Sequence, residues 1–196
     1  MEYPLHLSFK IVAVNPQVTV TDATGALVLY VKQKAFRLKE DVTIYADRER
    51  TQPLYSLRAD RVIDFNASYH IVDAQGTPFG VVRREGMRSI WKSRYDVLDA
   101  EGGHVFDIQE DNPWIKVLDA TAGEVPFLNW LTGYLFHPSY TTARPDGTPV
   151  FHLVKQPAFW EGKFRLDRLT DQIEPEDEVR AVLSLLMMIL LERARG

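Results

Sequence analysis

The chain has 196 residues, of which 45% are hydrophobic and 26% charged, proportions that are ordinary for a globular protein. Its formal net charge of −4 excludes nucleic-acid binding through overall basicity. The sequence contains no cysteine, which excludes disulfides, thiol nucleophiles, thiolate zinc sites and palmitoylation.

The beginning of the sequence, residues 1–6, lacks the basic and apolar regions of a secretory signal peptide. We therefore expect a cytoplasmic protein, either free in solution or peripheral at a membrane. No linker-like or low-complexity stretch interrupts the sequence, so we expect one domain over residues 1–196.

Five stretches share one pattern, in which apolar and polar residues alternate on both sides of a turn. They are residues 18–31, 43–57, 69–82, 95–108 and 140–154. Four of the turns begin at an aspartate, namely Asp22, Asp47, Asp73 and Asp99, spaced 25, 26 and 26 residues apart. Aspartate bonds the backbone ahead of it and glycine supplies a positive φ, so each stretch is predicted to be a β-hairpin. The aspartates are therefore interpreted as turn residues rather than as a catalytic carboxylate pair.

Ten or more antiparallel strands favour a closed barrel, because closure removes exposed sheet edges. A barrel of this size is wide enough to hold a helix. Residues 112–136 interrupt the hairpins: Asn112 and Pro113 are typical of a helix start, and Phe127, Trp130 and Tyr134 recur at helical spacing. We predict a short helical insertion there. Residues 160–166 are predicted to form a last pair of strands.

The closing segment, Glu174–Arg193, is predicted to be a helix with Pro175 at its first position. From Ala181 to Leu191 only Ser184 is polar, so this helix must be buried on all sides. Eleven residues span roughly 17 Å, against about 30 Å for a bilayer core, so protein is the better environment than lipid. The predicted core residues of the helix are Leu183, Leu186, Met187 and Leu190.

The turns Val20–Gly25, Ile71–Gly76 and Val97–Gly102, together with the apolar helix Val179–Leu191, resemble the Tubby C-terminal-like superfamily. The most similar branch is that of the LURP-one-related proteins and phospholipid scramblases. The resemblance implies a mainly β fold, a closed antiparallel barrel of about 12 strands around a central hydrophobic C-terminal helix.

The resemblance also implies roles. Tubby domains bind phosphoinositide head groups through basic residues on the barrel surface. Scramblases carry a proline-rich N-terminal segment, a palmitoylated cysteine run and an acidic calcium segment beside the terminal helix. This chain has no cysteine and no proline-rich extension, and its acidic run Glu176–Glu178 fits the positive end of a helix dipole. Scramblase-like membrane association therefore remains an alternative to a barrel buried around its own helix.

The strongest local concentration of positive charge lies between residues 83 and 94. Its basic residues are Arg83, Arg84, Arg88, Lys92 and Arg94. Beside Trp91, these side chains would suit the phosphate of an anionic lipid. The alternative is that they solvate the outer face of two strands and prevent edge pairing.

The aromatic residues Phe127, Trp130 and Tyr134 of the insertion are candidates for contact with a membrane or a protein partner. The alternative is that they plug one mouth of the barrel as ordinary core. Neither reading follows from the sequence alone.

No other motif indicates a reaction, a cofactor or a metal. The five histidines show no metal-binding spacing, although His70 and His152 could converge from neighbouring strands. No Walker loop, dinucleotide fingerprint or nucleophile elbow is present. We therefore expect a non-enzymatic barrel that binds anionic phospholipid or a protein partner, and not nucleic acid. The remaining alternative is a small-ligand carrier with a site at a barrel mouth.

Overall fold

The computed structural model describes residues 1–10, 17–32, 41–60, 68–84, 94–111, 138–158 and 161–193. These residues form twelve strands and a C-terminal helix. The elements are β1 Leu5–Lys10, β2 Gln17–Thr21, β3 Leu27–Lys32, β4 Val42–Tyr45, β5 Pro53–Ala59, β6 Ser68–Asp73, β7 Pro78–Arg84, β8 Arg94–Leu98, β9 His104–Glu110, β10 Ser139–Ala143, β11 Pro149–Gln156, β12 Glu161–Arg168 and α1 Pro175–Arg193. Each strand pairs antiparallel with the next, and β1 also pairs with β12, which closes the barrel. The predicted fold class is confirmed.

The repeated aspartate–glycine turns act as the sequence pattern predicts. Asp22 Oδ1 accepts hydrogen bonds from the backbone N–H groups of Thr24 and Ala26, both at 3.0 Å, and Gly25 has a φ of 85°. The hairpin register shifts by one residue between Val20 and Thr21, just before this turn. The same geometry recurs at the Asp73 and Asp99 turns. These turns lie at the same end of the barrel because each joins an even-numbered strand to the strand that follows it in the antiparallel order.

The Asp47 turn shows how the pattern tolerates a different residue. Asp47 accepts hydrogen bonds from the backbone N–H groups of Thr51, at 2.9 Å, and Gln52, at 2.7 Å. Arg50 takes the positive φ, 64°, in a turn that contains no glycine. The aspartate therefore sets the position of this turn, although an arginine occupies a conformation that glycine adopts with less strain.

The strand pairing corrects one expectation. A last pair of strands was predicted near residues 160–166, but residues 161–168 form the single strand β12. This strand bonds β11 on one side and β1 on the other. Leu5, Leu7 and Phe9 of β1 are at most 1% exposed, so the N-terminal strand contributes three core residues, which alternate with the polar residues His6, Ser8 and Lys10.

The helix α1 runs inside the barrel. All residues from Ala181 to Leu191 are at most 2% exposed, and the predicted core residues Leu183, Leu186, Met187 and Leu190 are among them. The helix packs against inward-facing strand residues such as Tyr95 and Phe106 in one continuous core. Within the described residues, no helix is long and apolar enough to span a membrane. The predicted helical insertion at 112–136 lies outside the described residues.

The first turns of α1 are attached to β7 by a buried arginine, Arg180, which is 4% exposed. Its Nε–H donates to the carbonyl oxygen of Phe79 at 3.0 Å, and its guanidinium lies 5.0 Å from the centre of the Phe79 ring. Its other nitrogens donate to Glu176, at 2.7 Å, and to Asp177. The acidic first turn therefore serves as a charge partner for Arg180 as well as complementing the helix dipole.

Candidate functional site

The two ends of the barrel carry opposite charge. The turn end comprises the five hairpin turns with the strand residues next to them, the N-terminal residues and the segment that leads into α1. Its acidic residues are Glu2, Asp22, Asp47, Glu49, Asp73, Asp99, Glu101, Asp146, Asp167, Asp171, Glu174, Glu176, Asp177 and Glu178, and its basic residues are Arg48, Arg50, Arg144, Arg168 and the buried Arg180.

The opposite end, which we call the basic end, consists of the other termini of the strands. Its basic residues are Lys10, Lys32, Arg58, Arg83, Arg84, Arg94 and Lys155, and its acidic residues are Asp41, Asp60, Glu110, Asp111 and Glu161. A barrel with this charge distribution has an electric dipole along its axis, and this dipole would orient the protein as it approaches a charged surface.

Three of the predicted lipid-binding residues lie at the basic end, on the neighbouring strands β7 and β8. Arg83 is exposed on the outer face, opposite Asp96. Arg84 is opposite Tyr95, a buried core residue, so it lies on the inner side of the strand at the rim of the barrel. The two arginines therefore flank the rim from both sides. Arg88 and Lys92 lie outside the described residues.

The electrostatic effect of Arg84 extends to Tyr69 on the adjacent strand. Burial raises the pKa of the Tyr69 hydroxyl, and the positive charge of Arg84 opposes that rise. Tyr69 pairs with Val82, two residues before Arg84, which agrees with a position of Arg84 above the core. Arg84 is thus held near the barrel mouth.

Arg94, at the start of β8, is engaged with an acidic neighbour. Its guanidinium donates to Asp107 Oδ1 at 3.0 Å. Asp107 is directly opposite Asp96 in the β8–β9 register, and His104 Nε2 lies 3.3 Å from Asp107 Oδ1. Of the three predicted lipid-binding arginines that the structure describes, Arg94 is therefore the one whose charge an ion pair with Asp107 balances. The sequence analysis did not identify this group of side chains, because only the pairing of β8 with β9 brings them together.

A second polar cluster joins β9, β10 and β11 around Asp111. Its carboxylate accepts hydrogen bonds from Ser139 Oγ at 2.5 Å and Thr141 Oγ1 at 2.7 Å, and His152 Nε2 lies 3.1 Å away. The Asp111 N–H also donates to the Ser139 carbonyl at 2.9 Å. Because Ser139 donates to the carboxylate rather than to the imidazole, this arrangement does not activate a serine nucleophile. Its effect is to hold the end of β9 to the start of β10.

The Asp111 cluster makes stability depend on pH. Burial alone would raise the pKa of Asp111, but the hydrogen bonds from Ser139, Thr141 and His152 outweigh it and lower that pKa. A folded pKa below the unfolded value of about 3.9 means that the stabilisation is present above that value and is lost as the pH falls through the folded pKa.

We expect Asp111→Asn to destabilise the protein by about 1.5–3 kcal/mol at pH 7, because it removes a charged acceptor from several donors. The stability difference between the variant and the wild type should shrink when urea unfolding is repeated near pH 3. Asp171→Asn, whose side chain is 93% exposed, is the control and should change stability little at either pH. An Asp111→Asn difference that stays constant from pH 7 to pH 3 would contradict this account.

The other predicted site residues are only partly placed by the structure. His70 and His152 do not converge: His70 lies on β6, 3.0 Å from Asp60, whereas His152 lies on β11 beside Asp111. The aromatic residues Phe127, Trp130 and Tyr134 lie outside the described residues. The strands that flank them, β9 and β10, end and begin at the basic end of the barrel.

A comparison with models of known protein families identifies the family of this barrel. The model of the LURP-one-related family matches residues 27–191, which is most of the chain. The chain belongs to the LURP-one-related family. This family is part of the Tubby C-terminal-like superfamily, so the resemblance carried by the turns and the terminal helix is confirmed.

A solved structure supports the fold of this LURP-one-related chain. The X-ray structure of a protein from Arabidopsis thaliana is similar at a TM-score of 0.50 and 16% sequence identity, over 97% of this chain and 91% of that chain. At this identity the likeness concerns the fold. No curated protein sequence matches the chain.

Proposed function

We propose that this LURP-one-related protein is a non-enzymatic, single-domain barrel that binds anionic phospholipid through its basic end. The observation that supports the proposal is the contrast in charge between the two ends of the barrel. The turn end is strongly acidic, whereas Arg83 and Arg84 add positive charge to the rim of the basic end. An anionic surface would attract the basic end and repel the turn end.

The chain connectivity adds to this proposal. The segment 85–93, which contains Arg88 and Lys92, connects the last residue of β7 to the first residue of β8. Similarly, the segment 112–137 with Phe127, Trp130 and Tyr134 connects β9 to β10. A basic segment and an aromatic segment anchored at the same end of the barrel would combine phosphate recognition with interfacial insertion.

The proposal predicts that binding to vesicles containing anionic lipid weakens when positive charge is removed from the basic end. Each basic residue near an anionic surface contributes about 1 kcal/mol, so Arg83→Ala/Arg84→Ala should reduce the partition coefficient by roughly 30-fold. Arg88→Ala/Lys92→Ala should have a similar effect. Co-sedimentation with vesicles with and without phosphatidylserine measures both.

The matched control is Arg48→Ala/Arg50→Ala, which removes the same charge from exposed positions at the turn end. This variant should bind vesicles as the wild type does. Equal loss in the control and the Arg83/Arg84 variant would indicate a response to net charge alone. Full recovery of wild-type protein in the supernatant with anionic vesicles would overturn the lipid proposal and favour a protein partner.

A further inference from the structure

We propose that Asp96, His104 and Asp107 form a binding site for a divalent transition-metal ion on the outer face of the β8–β9 hairpin. Each residue offers one ligand atom, and these atoms all lie within 4.8 Å of one another. The site adjoins the lipid-binding rim proposed above, because Asp96 is opposite Arg83 and Asp107 contacts Arg94, but its test needs no vesicle.

The strand register brings two carboxylate ligands together, although their negative charges repel each other. Asp96 and Asp107 are a directly opposed cross-strand pair, and like charges in such a pair destabilise a sheet. A cation between them would remove this repulsion. Arg94 already supplies part of the compensation through its 3.0 Å contact with Asp107 Oδ1.

The third ligand decides which ions fit. His104 lies on the same strand as Asp107, with Nε2 3.1 Å from the Phe106 carbonyl oxygen and 3.3 Å from Asp107 Oδ1. Imidazole with two carboxylates suits zinc, nickel, cobalt or copper, whereas magnesium and calcium select oxygen ligands alone. Since His104 is 38% exposed, an ion would enter from solvent and keep water in its remaining positions.

The geometry requires only small side-chain movements. Two ligands bound at about 2.1 Å to one ion are at most about 4.2 Å apart, and the three ligand atoms already lie within 4.8 Å of one another, so little closure is needed. The hairpin itself is rigid, because Asp99 accepts backbone hydrogen bonds from Glu101 at 3.0 Å and Gly103 at 2.6 Å. The ion must also displace Arg94, whose side chain is 44% exposed and can move into solvent. Arg94 is therefore a competitor for the site.

The test is thermal unfolding of chelator-treated protein in the absence and presence of zinc chloride. Zinc at 100 times its Kd should raise Tm by roughly 5–10 °C. His104→Ala and Asp107→Asn should abolish this shift, and circular dichroism of the metal-free variants verifies that they are folded. His70→Ala, which removes a half-buried histidine on β6, is the control and should keep the full shift.

Arg94→Gln gives the most specific result. The variant removes the guanidinium that competes with the metal for Asp107. Zinc binding should therefore become about two- to fivefold tighter in isothermal titration calorimetry. Affinity should rise from manganese through cobalt and nickel to copper, and magnesium should not bind measurably. Equal Tm shifts in the wild type and His104→Ala, weaker zinc binding by Arg94→Gln, or no shift at millimolar zinc would overturn the proposal.

Discussion

Leu186→Ala should lower the free energy of unfolding by about 2–5 kcal/mol. Leu186 lies on α1 in the middle of the barrel and is 0% exposed. Its replacement removes apolar contacts and leaves a cavity that the surrounding strands cannot fill, because a closed sheet collapses inward less easily than a surface loop. For a protein whose total stability is on the order of 5–15 kcal/mol, this is a substantial loss.

Urea denaturation measures the effect, with the m value used to confirm that the unfolding transition remains comparable. Leu169→Ala is the matched control, since it deletes the same atoms from a leucine that is 51% exposed. That variant should lose less than about 0.5 kcal/mol. Leu186→Met, which nearly conserves volume, should cost less than about 1.5 kcal/mol. If the two alanine variants were equally stable, α1 would not be the core of the barrel in solution.

Gly80→Val should also be strongly destabilising, because α1 and β8 approach β7 closely at this position. A Cβ at Gly80 would lie 2.8 Å from the Leu98 carbonyl oxygen and 3.3 Å from Cδ and Nε of Arg180. The first contact is with backbone and cannot be relieved by a side-chain rotation. Overpacking of this kind costs about 1–3 kcal/mol, and the added methyl groups of valine place the variant at the upper end of that range.

A double-mutant cycle separates the two contacts. Arg180→Ala alone should cost roughly 1–3 kcal/mol, since it removes the buried hydrogen bond to the Phe79 carbonyl. The cost stays below that of breaking a fully buried ion pair because Glu176, which is 66% exposed, regains water. In the Arg180→Ala background, Gly80→Ala should be less destabilising than in the wild type, with a coupling of at least about 0.5 kcal/mol.

The coupling would show that the glycine provides room for the arginine. Strict additivity of Gly80→Ala and Arg180→Ala would instead attribute the whole cost of the glycine substitution to the Leu98 carbonyl contact. Equilibrium urea unfolding of the four proteins supplies all the values needed. If the Gly80→Ala variant were as stable as the wild type, β7 and β8 would be able to move apart at this point without loss of stability.

The sequence was sufficient for the features that depend on local chemistry. Asp22 and Gly25 specify their turn because a side-chain acceptor and a positive φ are needed within four residues. The same reasoning located the other hairpins. The helix Ala181–Leu191 is apolar on all sides, so it had to be buried away from water. Barrel and central helix therefore followed from short-range patterns together with the family resemblance.

The tertiary structure decided everything that depends on strand register. Sequence alternation did not identify β1 as the strand that closes the barrel, because closure with β12 is a contact between the two ends of the chain. The burial of Arg180 was also missed, since its environment comes from Phe79 and Gly80 on a distant strand. A charged residue next to an acidic helix start is ordinarily expected at the surface.

The candidate sites divide in the same way. The basic composition of residues 83–94 was visible in the sequence, but Arg83 and Arg84 occupy opposite sides of the rim, and Arg94 is paired with Asp107. Asp96 and His104 are eight residues apart in sequence, and only the β8–β9 register brings them beside Asp107. Turn chemistry is local and can be read from a few residues. The contacts of a charged side chain depend on which strand lies opposite, and this is fixed only when the barrel closes.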